Sequence, residues 1–150
     1  MEKRLKEIKA ALSNSFQINH FLQLTDFLTE IVTKEMSCLK QIKIQDIEVI
    51  QPIKQEACTL YANMIAMLKE RADYLDNLPV QDRRVLKEVT ENLSRLLDRN
   101  ESMIKSFNEA NKRVMEIFHE VVQSRLRTNY GPEGKRRPPL SGYTNFSQSG

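Results

Sequence analysis

Three features of the sequence predict an all-α fold, an elongated antiparallel three-helix bundle or coiled coil with a long C-terminal helix and a disordered tail. The first is a repeat. Leu86, Val89, Leu93, Leu96, Asn100, Met103, Phe107, Ala110, Val114, Ile117, Val121 and Ser124 recur at spacings of three and four, and ten of these twelve are apolar. That is the 3.5-residue period of a helix lying along helical partners. The second feature is composition. With 29% charged residues, 7% aromatics and no Trp, the chain fits a helical protein better than a sandwich or barrel. The third is punctuation: all four glycines, and Pro132, Pro138 and Pro139, follow residue 130.

Element by element, residues 1–14 form a short amphipathic helix. Leu5, Ile8 and Leu12 share one face, with Lys3, Arg4, Lys6 and Lys9 around them. Basic helices of this kind sometimes lie on membranes, but so short a helix is marginal alone, which favours docking on its own bundle or fraying. Ser13, Asn14 and Ser15 interrupt the pattern and offer caps for a new start.

A first long helix is expected over 19–45, with Leu24, Leu28, Ile31, Val32, Met36, Leu39 and Ile42 as its stripe and Glu35 beside it. The phase shifts near Asp46, read as an N-cap, and Pro52 belongs in the first turns of the next helix, where a missing N–H costs nothing. That helix, expected over 47–77, repeats Ile50, Ile53, Ala57, Leu60, Met64, Met67, Arg71, Tyr74 and Leu78. Arg71 breaks the stripe. Asn77 and Pro79 end it and open the last helix, expected over 79–127; so short a connection sets the two helices antiparallel.

The last helix would span roughly 60 Å over Leu86–Ser124 at 1.5 Å per residue. The helices upstream are expected to cover it, but they are shorter, and residues beyond about 108 would overhang them. There a second ridge, Met115, Phe118 and Val122, lies beside Val114, Ile117 and Val121. An overhanging helix with a doubled apolar face is a partner site or an oligomer interface, unless the N-terminal helix covers it. Asn100 sits in the seam, as a satisfied core amide or as a polar contact to a partner.

The organisation is therefore a helical bundle domain over 1–127 and a flexible basic tail over 128–150. Residues 1–124 carry 18 basic and 19 acidic groups, whereas Arg125, Arg127, Lys135, Arg136 and Arg137 face only Glu133 in the remainder. The positive excess thus lies at the C-terminal end, and a nucleic-acid binder would more often carry it on the folded face. The tail, rich in Gly, Pro, Ser and Asn, buries too little to offset ordering.

No catalytic constellation is expected, and no cofactor or metal. Glu116 and His119 stand at the i, i+3 spacing of helical di-iron sites, but such sites need a second pair and further inward carboxylates. The expected folded part has no glycine for a phosphate loop. Cys38 and Cys58 are expected as reduced, packed thiols. No apolar run suits a signal peptide or a membrane span, so a cytoplasmic chain that is not membrane-inserted is expected, with no nucleic acid and no small-molecule substrate.

Several of these residues together resemble the FlgN family of flagellar export chaperones. They are Glu35 and Leu39, Asp46 at the turn, Ile50 and Lys54 leading into a second helix that ends near Arg71, Asn100 in a long third helix, and Tyr130-Gly131-Pro132-Glu133-Gly134 after it. The resemblance implies a type III secretion chaperone without enzymatic activity. It would bind the hook-associated junction proteins FlgK and FlgL, keep them from assembling prematurely and deliver them to the export gate protein FlhA. It further implies cargo binding by the C-terminal part of the long helix, here Val114, Met115, Ile117, Phe118, Val121 and Val122. Tyr130, with Gly131 and Gly134, would meet the export gate. The rival reading is a coiled-coil scaffold or homo-oligomeric interaction protein with no export role.

Overall fold

A computed structural model describes residues 1–128, of which 91% are helical, with no strand among them. Five helices follow in order: α1 (Glu2–Asn14), α2 (Ile18–Lys40), α3 (Ile44–Glu70), α4 (Ala72–Asp76) and α5 (Val80–Thr128). The chain divides into two units, Met1–Phe107 and Asn108–Gly150.

Within the first unit the central helix is α2, not α5. Eleven of the 23 residues of α2 are buried, while among the described side chains of α5 only Leu93 and Asn100 are fully buried. The reason lies in a second ridge on α2: Phe21, Phe27 and Cys38 add to the expected stripe, so its apolar arc is wide enough for more than one neighbour. α1 and α3 both pack on α2, and α1 also touches α3. Buried Thr25 satisfies its hydroxyl by donating to the Phe21 carbonyl at 3.0 Å, and Thr29 and Thr33 repeat the bond one turn on each time.

The pairings fix the helix directions. Phe21 stacks on Tyr61 with centroids 5.4 Å apart, and Glu35 meets Lys54, so α2 and α3 run antiparallel. α5 runs alongside α2 in the same direction: Glu35 meets Asn100, and Leu39 and Lys40 share a groove with Met103 and Phe107.

α1 docks on this core through Leu5, Ile8 and Leu12, at 2%, 5% and 7% exposure. Its apolar face is therefore occupied by its own chain. At its rim Arg4 pairs with Glu30 and lies over the Phe27 ring, while Lys9 donates to Glu56 at 2.8 Å. Such exposed pairs contribute little each; the three apolar side chains hold the helix.

The helix ends differ from expectation, each for a local reason. α2 stops at Lys40, five residues early, in a Schellman turn: the Ile42 N–H donates to the Leu39 carbonyl and the Lys43 N–H to the Cys38 carbonyl. Ile42 takes the left-handed position, φ 56°, where a helix ordinarily places glycine. Asp46 does not cap α3; Lys43 is the N-cap residue, and Asp46 lies in the first turn, where the helix dipole favours its charge. Pro52 is eight residues past the start of α3, deeper than expected, on its exposed side. The carbonyl it deprives of a donor can turn to water there. The expected single helix over 47–77 is broken at Arg71, whose φ −109° and ψ 57° separate α3 from α4. That break falls where Arg71 interrupts the apolar stripe.

Candidate protein-binding face

Two features of the described residues carry chemistry: a buried polar triad in the first unit and an apolar row on α5 in the second.

The triad joins three helices. Glu35 of α2 is fully buried, not beside the stripe as the sequence suggested. Lys54 of α3 donates from Nζ to Glu35 Oε2 at 2.6 Å and to Asn100 Oδ1 at 3.1 Å. Asn100 of α5 donates from Nδ2 to the same Glu35 oxygen at 2.8 Å. Each group thus satisfies another, which is the condition for keeping polar atoms in a core. Glu35 Oε1 is buried with no hydrogen-bond partner among the described residues. Asn100 is therefore a core amide and not a contact for a second protein. The three residues are spread over 65 positions of sequence, and nothing in the local pattern ties them together.

Their neighbourhood shifts two side chains. Burial pushes the Cys58 thiol above its ordinary range; the Lys54 charge pulls it back somewhat, and the Glu35 charge adds to the rise. Burial likewise raises the Tyr61 phenol. Neither Cys38 nor Cys58 is in a disulfide. Among the described residues no three His, Cys, Asp or Glu side chains gather in a group able to hold a metal ion. Glu116 and His119 are both exposed on α5.

The row on α5 has a different character. Val114 is 62% exposed, Ile117 60%, Val121 47%, Phe118 44% and Met115 40%; Val122 is half-buried. All six stand within nine consecutive residues of one helix. Six apolar side chains this close together on one helix form a contiguous patch rather than the scattered single exposures of an ordinary surface. A small apolar groove lies in the first unit, lined by Leu39, Met103 and Phe107 with Lys40, Arg99, Ser102 and Ser106 around them. Met103 and Phe107 belong to the expected seam and Leu39 to the stripe of the first long helix, so the sequence pattern alone does not single this groove out. No described helix is long and apolar enough to cross a membrane. Tyr130, Gly131 and Gly134, and the tail as a whole, lie outside the described residues.

The fold and this row define an all-α protein that holds its polar core closed and displays an apolar helix surface. A model of the FlgN protein family matches residues 3–138. That is most of the chain, and the chain belongs to the FlgN family. Membership implies, in general terms, a flagellar export chaperone role and binding of flagellar proteins. No curated protein and no solved structure matches the chain.

Proposed function

We propose that this chain is a cytoplasmic type III secretion chaperone for the hook-associated proteins FlgK and FlgL. Cargo lays apolar helical surface along Val114, Met115, Ile117, Phe118, Val121 and Val122. Covering that cargo surface hides the residues through which it would otherwise assemble too early. Tyr130, Gly131 and Gly134 form the contact to the export gate protein FlhA, so that the chaperone delivers while α5 still holds its cargo.

One observation carries the reading: apolar side chains 40–62% exposed in a row on α5, in a chain of the FlgN family. A protein gains nothing in stability from leaving such a row in water, whereas a partner gains roughly 25 cal/mol for each Å² it covers. The test is a calorimetric titration of FlgK and FlgL with the Ile117→Asp variant. Ile117 is 60% exposed, so the fold is expected to be unaffected, and cargo binding is expected to fall beyond detection. Unchanged affinity removes the assignment of this face.

A further inference from the structure

Where α2 stops, the first unit carries a surface that its own packing leaves unused. The groove there holds about 320 Å³. Its floor is Leu39, which is buried, with Met103 and Phe107, which are half-buried. From Arg99 to Phe107 it follows α5 for roughly 12 Å at 1.5 Å per residue, about two turns of a helix laid beside it. Hydrogen-bonding groups contribute little. Ser102 donates its hydroxyl to the Asp98 carbonyl at 3.1 Å, which leaves few fixed contacts to orient a small ligand.

The charges around the groove have one sign. Lys40 and Arg99 line it, no acidic side chain does, and Lys43 follows Lys40 in the turn. All three cations are exposed, and none is in an ion pair among the described residues.

Ile42 is an independent observation. Its N–H donates to the carbonyl of Leu39, the residue on the groove floor. Its φ is 56° and it is 68% exposed. Left-handed backbone is costly for a β-branched residue, and a side chain in water recovers none of that cost. The strain falls beside the groove, where a partner that covers Ile42 offsets it.

We propose that this end of the first unit docks a short acidic amphipathic helix of another protein. Its apolar side chains fill the groove floor and cover Ile42, and its acidic flanks meet the three unpaired cations, a helix-in-groove contact steered by charge. The surface is distinct from the row at 114–122, and the proposal stands without the function proposed for that row. The chain's own tail fits less well, because it brings Lys135, Arg136 and Arg137 against Glu133 alone. A second copy would set one basic groove against another.

The test uses the full chain and a synthetic helical peptide with leucines on one face, glutamates on both flanks and a single Trp among the leucines. The chain has no Trp, so a blue shift in fluorescence reports burial of the probe. Titration at low salt is expected to saturate, and a peptide with lysines in place of the glutamates is expected not to bind. Lys40→Glu and Arg99→Glu, both at exposed positions, each weaken binding about fivefold. Ile42→Gly weakens it about threefold while raising the urea midpoint, so that loss is not one of folding. No saturation, equal affinity for the two peptides, or any of the three variants within about twofold of the parent overturns the proposal. A dimer in sedimentation that Arg99→Glu dissociates gives the groove to a second copy and overturns it too. So does binding to anionic phospholipid vesicles that Lys40→Glu abolishes and the glutamate peptide does not displace, which gives the surface to a membrane.

Discussion

Replacing Lys54 by Met isolates what the buried triad contributes. The Glu35 carboxylate is fully buried and takes both of its hydrogen bonds on Oε2, from Lys54 at 2.6 Å and Asn100 at 2.8 Å. Lys54→Met keeps most of the apolar stem and removes the countercharge, leaving the carboxylate with one amide. Breaking a buried pair from one side costs about 3–5 kcal/mol. Because the Lys54 side chain keeps 16% of its exposure, water supplies part of its solvation already, and the lower end, about 3 kcal/mol, is expected. At roughly 2–4 °C per kcal/mol for a chain of this size, Tm falls by about 6–12 °C. Adding Glu35→Gln to the Lys54→Met background removes the stranded charge and recovers most of that loss, a coupling of about 1–3 kcal/mol. Urea denaturation is the assay, followed by near-ultraviolet circular dichroism, since Tyr61 stacked on Phe21 reports on this unit. A cost below about 1 kcal/mol for Lys54→Met, or further loss on adding Glu35→Gln, refutes the account of the triad as a charge pair sustaining the core.

Three further outcomes are expected. Ile42→Gly stabilises the protein by about 0.5–1 kcal/mol, because relief of a left-handed conformation of about 1–2 kcal/mol exceeds the added freedom of glycine in the unfolded chain; a lower urea midpoint for the variant contradicts the strain argument. Alkylation of Cys58, followed by peptide mass mapping, is slow at neutral pH and accelerates only above the ordinary thiol range, since burial raises its pKa and the thiolate is the reactive form. Lys54→Met removes the lowering influence and shifts that profile to still higher pH; a shift to lower pH contradicts the assignment. Tyr130→Ala leaves calorimetric cargo binding intact and stops secretion of the junction proteins, and normal secretion by that variant removes the role proposed for the tail.

Periodicity made α5 legible, because a 3.5-residue repeat over twelve positions has no other efficient use. It gave the docking face of α1 in Leu5, Ile8 and Leu12 for the same reason. It misjudged which helix is central. The row on α5 is conspicuous for its length, whereas burial follows the width of the apolar arc, and Phe21, Phe27 and Cys38 widen that of α2. Glu35 was misplaced because a charge beside a stripe ordinarily faces water; the partners that keep it inside, Lys54 and Asn100, come from two other helices. Ile42 passed as a stripe residue because no local rule places a β-branched side chain at positive φ. Pro52 was confined to a first turn because sequence rules penalise it elsewhere, and its exposed side on α3 was not visible before the helices were packed. The exposed row from Val114 to Val122 was legible from its doubled ridge.

The separation of Asn100 from Glu35 has a consequence for how the chain is born. A ribosome adding roughly 5–20 residues per second exposes Glu35 about 3–13 s before the amide that completes its site, 65 residues later. Lys54 arrives first and can close the α2–α3 hairpin with α1 already in place. Until α5 follows, that hairpin waits with one side open, so the newborn protein itself passes through an interval in which it needs shelter.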